Sequence, residues 1–150
     1  MRQIPVTQGK FTIVDDCDYD HLVQFKWCLC TGYASRGATY DGKQRRLFMH
    51  RLITGASYGI EVDHINGDRL DNRRSNLRLC TKAENTRNKV QQKHNRFGLK
   101  GVSFKCGKFY AQIQAHGKKY CLGYHSTPEE AHQAYCEAAF RLHGEFANTK

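Results

Sequence analysis

Apolar positions fall in short alternating runs along most of the 150-residue chain, and near its end they recur at helical spacing. Phe11-Thr-Ile-Val14 is β-rich and runs into an acidic cluster, Asp15, Asp16, Asp18 and Asp20. Phe25 to Tyr33 is dense in apolar and aromatic side chains. Arg46-Leu-Phe-Met-His50 reads as a third strand, with the turn dipeptide Asp41-Gly42 ahead of it. The first third therefore predicts an antiparallel meander. Next, Val62–Ile65 predicts a short strand, Asn66-Gly67-Asp68 a tight turn and Leu77–Leu79 a second strand. Thr81-Lys-Ala-Glu84 has capping-box spacing, so a helix starts near Lys82.

Residues 90–97 are mostly Gln, Lys, His, Asn and Arg with little to bury, and predict a linker. Beyond it, Gly101–Lys105, Lys108–Gln114 and Lys118–Leu122 predict three strands, with turns at Gly107-Lys108 and His116-Gly117. Thr127, Pro128 and Glu130 form a helix start. Ala131, Ala134, Tyr135, Ala138 and Leu142 share one helical face, and Gly144 ends it. The expected class is α+β, with N-terminal antiparallel strands leading into a strand–loop–strand–helix motif. A small three-stranded antiparallel sheet packed on one helix follows. The expected domains are 1–89, with the motif at 61–89, and 98–150, joined by 90–97.

Charge narrows the function. Lys and Arg number 24 against 14 Asp and Glu, a net charge of +10. The excess is spread, +3 over 1–60, +4 over 61–96 and +3 over 97–150. A chain this basic along its whole length seeks a polyanion, most often nucleic acid and less often a membrane surface or an acidic protein, and the even spread suggests a protein lying along a duplex such as double-stranded DNA. No apolar run is long enough to cross a bilayer, and Met1 to Lys10 resembles no secretory signal. A reducing, cytoplasmic setting is expected, in keeping with seven irregularly spaced cysteines. Cys28-x-Cys30 lacks a matching second pair, so structural zinc is not expected.

The residues that carry chemistry are Asp63, His64, Asn76 and Asn85. Asp63 and His64 end the first motif strand, Asn76 starts the next, and Asn85 lies early in the helix. Asp63 and Asn85 offer oxygen ligands that suit Mg²⁺ or Mn²⁺. Strand alternation turns His64 to the opposite face from Asp63, as a base rather than a ligand. Arg73, Arg74, Arg78, Lys82 and Arg87 surround the motif and are expected to hold flanking phosphates.

The stretch Val62 to Arg78, continued through Glu84 and Asn85, resembles the HNH nuclease family. It is similar to the version found in phage and intron-encoded homing endonucleases, with Asn85 where the namesake pattern has its final His. The resemblance implies a ββα-metal fold holding one Mg²⁺ or Mn²⁺ per active site on Asp63 and Asn85. It also implies His64 as general base and Asn76 as the residue that orients the loop carrying it. Met49-His-Arg-Leu-Ile53 looks like the family's lead-in, which sets His50 and Arg51 beside the site. The last third resembles the Apetala/ethylene-response-factor type of DNA-binding domain, through Gly101-Val102, Gly107–Phe109, Leu122-Gly123 and Glu130-Ala131 onward. That resemblance implies a DNA-reading sheet face, here bearing Ser103, Lys105, Tyr110, Gln112, Gln114 and Lys119. The resemblance implies a phage or mobile-element homing enzyme acting in its host cell, and the single Asp63, His64 and Asn85 set, with no heptad run for a dimer, predicts a monomer that nicks one strand of double-stranded DNA. A non-catalytic DNA-binding regulator and an HNH enzyme of host repair or defence are the competing readings. The intact Asp63, His64 and Asn85 set argues against the first.

Overall fold

Ile4 and Val6 alternate with exposed neighbours in β1 (Arg2–Val6), which pairs antiparallel with β2 (Lys10–Val14) in a computed structural model that describes residues 1–88 and 97–149. The acidic cluster after β2 opens α1 (Asp16–Leu22). Carboxylates in a first turn face the positive end of the helix dipole, and Leu22 anchors the other end in the core. β3 (Cys28–Cys30), β4 (Tyr33–Tyr40) and β5 (Lys43–Phe48) form a three-stranded antiparallel meander. Asp41 and Gly42 turn β4 into β5, both at positive φ (49° and 69°), the conformation a two-residue hairpin turn requires.

The expected strand Arg46–His50 stops at Phe48, and Met49–Thr54 is a helix, α2. Met49, His50 and Ile53 recur at helical spacing and are buried, so helical packing overrides the local β-rich composition. β6 (Glu61–His64) and β7 (Leu77–Cys80) make a two-stranded antiparallel sheet, and α3 (Lys82–Asn88) follows. Thr81 and Glu84 form the expected reciprocal cap at its start.

Two compact units result, Met1–Asn85 and Thr86–Lys150. The first is built on Ile4, Val14, Leu22, Trp27, Met49 and their neighbours. The Trp27 indole N–H donates to the Leu22 carbonyl at 2.8 Å, which satisfies its one polar atom inside that core.

In the second unit, β8 (Val102–Lys105), β9 (Lys108–Ala115) and β10 (Lys118–His125) form an antiparallel sheet with β9 in the centre. α4 (Pro128–His143) starts at the full Thr127–Glu130 capping box and lays Ala131, Tyr135, Ala138 and Ala139 against Val102, Ala111 and Ile113. β10 runs past the expected Leu122 through a bulge between Cys121 and Gly123. Except for Phe97, which packs on Phe109, the expected linker lies outside the described residues. No helix among the described residues is long and apolar enough to cross a membrane.

Gly101 tests this packing. Its φ is +79°, and a Cβ there would overlap the Tyr135 ring. Gly101→Ala adds left-handed backbone strain to a steric clash, each worth about 1–3 kcal/mol. Thermal unfolding followed by circular dichroism should show the second unit melting at least about 5 °C lower, with the first unit unchanged.

Candidate active site

The loop between β6 and β7 carries almost no apolar surface, so it must be positioned by polar contacts. Asn76 does this at its root. It lies in a 3-10 turn (Arg74–Asn76) rather than at the start of the strand, as the sequence had suggested. Its side-chain oxygen accepts from the Asn66 amide at 3.0 Å, and its Nδ2 donates to the Asp71 carbonyl at 2.8 Å, which pins both ends of the loop. β2 holds the middle, where the Ile13 amide donates to the Leu70 carbonyl and the Asn72 amide to the Ile13 carbonyl. The acidic cluster holds the rest. Asp15 accepts from the Arg74 backbone amide, and Asp18 pairs with the Arg74 guanidinium at 2.7 Å.

These supports converge on His64, which is 5% exposed. The Thr12 hydroxyl donates to the Leu70 carbonyl at 2.7 Å, so its oxygen accepts from Asn72 Nδ2 at 2.7 Å. Asn72 must then turn its oxygen toward His64 Nε2, 3.2 Å away. An amide oxygen can only accept, so Nε2 carries the proton and Nδ1 is the basic nitrogen of the neutral ring. Burial lowers the His64 pKa, against the opposing pull of the Asn72 hydrogen bond and the Asp63 carboxylate. His50, on α2, has its ring 5.3 Å from that of His64, and burial, then the His64 and Arg51 charges, lower its pKa to about 3.

The opposite face of β6 carries charge. Asp63 lies opposite Arg78 in the register, and Arg78 Nε and Nη2 donate to Asp63 Oδ2 at 2.9 and 2.7 Å. Both side chains are nearly buried, at 6% and 12% exposure. Two residues back on the same face, Glu61 accepts from Asn85 Nδ2, which fixes the amide of the α3 residue. Burial, then the Asp63, Glu61 and Glu84 carboxylates, push the Cys80 thiol up to about 11, against the opposing Arg78 charge.

Asp63, Glu61 and Asn85 present only oxygen donors, and that chemistry fits a hard divalent cation. Arg78 is the counter-charge already in place. Among the described residues, no group of three or more His, Cys, Asp or Glu side chains is arranged to hold a metal ion, so any ligand set here depends on the amide of Asn85. A cavity of about 270 Å³ opens beside β6, lined by Tyr33, Phe48, His50, Arg51, Glu61 and Asn85.

The structure thus gathers Asp63, His64, Asn76, Asn85, His50 and Arg51 around one hairpin. The surrounding cations differ from a simple phosphate-facing set. Arg78 is turned onto Asp63, Arg73 onto Asp71 at 2.6 Å and Arg74 onto Asp18, while Lys82 is exposed and Arg87 half-buried. In the second unit, the register puts Ser103, Tyr110 and Tyr124 in one row, Gln112 beside Cys121, Gln114 beside Lys119, and Lys105 beside Lys108. Ala111, Ile113 and Ala115 are buried on the other face. Glu61, Asn72 and Tyr33 are site residues the sequence did not single out. Only the Asp71-Asn72 pair, polar yet buried, departs from an ordinary loop, and burial is not visible in sequence.

A profile of the HNH endonuclease family matches residues 47–87, from the end of β5 through α2, the hairpin and α3. An uncharacterized HNH endonuclease of Acanthamoeba polyphaga mimivirus is 33% identical over 144 residues, covering 93% of this chain and 74% of the viral protein. No solved structure gives a significant match. With the matched segment coinciding with the hairpin that carries Asp63, His64 and Asn85, and with a relative similar over nearly the whole chain, the protein belongs to the HNH endonuclease family.

Proposed function

We propose that this chain is a metal-dependent DNA endonuclease of the phage or mobile-element homing type, with residues 1–89 as the nuclease and 98–150 as an Apetala/ethylene-response-factor-like DNA-binding domain. The observation that carries the reading is the fixed tautomer of His64, a buried, neutral imidazole whose Nε2 proton is held by Asn72. Such a ring is a base at neutral pH.

Asp63 and Asn85, with Glu61 orienting the latter, would hold one Mg²⁺ or Mn²⁺. When bound, the ion stabilises the negative charge that builds on the scissile phosphate and its leaving oxygen. His64 Nδ1 takes a proton from water as the water oxygen bonds to phosphorus and the bond to the leaving oxygen breaks. β6 lies in a two-stranded sheet, so a phosphate at its outer edge can be approached from the Asp63 face and the His64 face together. Asn76 keeps His64 in place by closing the loop, and is a positioning residue. The outward row of Gln112, Gln114, Tyr110 and Ser103, flanked by Lys105 and Lys119, supports base reading by the second unit, since Gln pairs with adenine and Lys with guanine or phosphate. One catalytic set per chain supports a monomer that nicks one strand.

Supercoiled plasmid carrying the target tests this. With Mg²⁺, open circles should accumulate before linear DNA, and His64→Ala should cut about 10²–10⁴-fold more slowly with DNA affinity retained. Undiminished cutting in chelator, or by His64→Ala, overturns the mechanism. DNA binding without cutting in any divalent ion favours the regulator reading.

Arg78→Ala leaves the Asp63 carboxylate buried without its guanidinium, a loss of about 3–5 kcal/mol for a broken buried pair. Urea titration should show that loss in chelator and partial recovery in Mg²⁺.

The acid limb of the rate should lie below pH 6.5, because burial lowers the His64 pKa. Stability limits the same range. Between the ordinary His value of 6.5 and the folded value of about 3, unfolded chains bind the His50 proton and folded ones do not. Stability from this group is therefore level above pH 6.5 and falls as pH drops toward 3, by up to about 1.4 kcal/mol per unit. In urea titrations from pH 7 to 4, His50→Leu should lose this part of the slope.

A further inference from the structure

The unassigned feature of the first unit is the β4–β5 ribbon. Lys43, Gln44, Arg45 and Arg46 are all exposed, and among the described residues none of the three cations is in an ion pair. Elsewhere in the unit, Arg2, Arg73, Arg74 and Arg78 are neutralised by carboxylates. Arg36 and Arg69 lie over the rings of Phe25 and Tyr33. The ribbon's two strands hold no acidic side chain, and Asp41 at the tip is the nearest. Three unpaired positive charges within four residues are a concentrated field.

The ribbon is also continuous with the candidate site. Its register pairs Ser35 with Phe48, Gly37 with Arg46 and Thr39 with Gln44, so these positions share the face of Tyr33 and Phe48. Tyr33 and Phe48 line the cavity beside His50. Beyond them, Gly37 gives Arg46 no side chain opposite, and nothing lies within 4 Å of where a Cβ would stand. Arg45 and Lys43 project from the other face, across from Ala38 and Tyr40. β5 is the outer strand of its sheet, so its far edge is also open. At about 3.4 Å per residue, Lys43 stands about 17 Å from Phe48, or about five base-pair steps along a duplex.

We propose that the β4–β5 ribbon is a phosphate-binding arm of the nuclease unit, with Lys43, Arg45 and Arg46 gripping the backbone of duplex DNA about two to five base pairs to one side of the cut. The proposal rests on the DNA-cutting reading above and adds a second, sequence-independent contact to the sheet face of the other unit. Contacts to phosphate act through counterion release, so they weaken all sequences alike and set the salt dependence of binding.

The test compares two charge-matched double variants of the full chain, Arg45→Ala/Arg46→Ala and Lys10→Ala/Lys26→Ala. All four positions are exposed, so both proteins should keep the wild-type melting temperature. Affinity for target and unrelated duplexes is measured in chelator by fluorescence anisotropy from low to moderate NaCl. The ribbon variant should flatten the slope of log K against log salt by about 1.8, with equal loss on both duplexes, and the lysine variant should leave it unchanged. Equal slopes for the two variants overturn the proposal, as does a loss confined to the target. Plasmid nicking in Mg²⁺ at saturating protein separates the two readings. Failure of the wild type to cut rejects the nuclease reading, while the salt slopes measured in chelator still decide the ribbon.

Discussion

The side-chain amide of Asn72 is the contact on which the site depends. It is fully buried, and both of its ends are used, Nδ2 on Thr12 of β2 and Oδ1 on His64 of β6. A single amide therefore ties the N-terminal hairpin, the polar loop and the base together. It also sets the proton on His64, because the Thr12 hydroxyl already gives its hydrogen to Leu70 and can only accept. Buried polar chains of this kind are stable only when every member is satisfied, and this one is satisfied in one direction. Any change that reverses it would move the ring's basic nitrogen from Nδ1 to Nε2. The N-terminal hairpin thus helps to fix the His64 ring, although it lies outside the matched segment 47–87.

Electrostatics follows the same division. The loop and hairpin contain Asp63, Asp68 and Asp71 as well as arginines, and the structure pairs them internally, Arg73 with Asp71 and Arg78 with Asp63. Pairing of Asp71 with Arg73 holds that carboxyl below its ordinary range, so it stays ionised. Internal pairing thus keeps the buried Asp71 carboxylate charged. The cost is that these arginines are drawn away from a phosphate. On the proposed reading, a divalent ion at Asp63 would take over the charge balance that Arg78 now supplies, since two cations on one carboxylate repel each other.

Much of this was legible in the sequence where local rules decide. The Thr127–Glu130 and Thr81–Glu84 boxes, the Asp41-Gly42 turn and the alternation of Ala111 and Ile113 appear where the sequence put them, because each is set by residues within a few positions. The failures lie where packing outvotes propensity. Met49-His50 continued a β-rich run, yet three buried positions at helical spacing made it α2. No helix was read from the acidic cluster, whose partner, Arg74, lies 56 residues away from Asp18. Asp63, His64 and Asn85 were visible because the motif keeps its spacing. Asn72, Glu61 and Tyr33 were not, since their roles come from contacts across the fold and not from neighbours in the chain.

The two sheets proposed above to contact DNA differ in kind, and the difference is physical. β5 presents consecutive charges that alternate between faces, a pattern that suits phosphates approached from more than one side and carries no information about bases. The outer face of β8–β10 is centred on neutral amides, a hydroxyl and tyrosine rings, with lysines toward the turns. Neutral donors and acceptors gain little from a phosphate but discriminate base edges, because a wrong base leaves them unpaired. On the reading proposed above, adhesion and base reading would fall to different units, with any duplex bound through the first and one sequence held through the second. Specificity would then reside in the residence time that the second unit adds, and the hairpin would need no contact with bases.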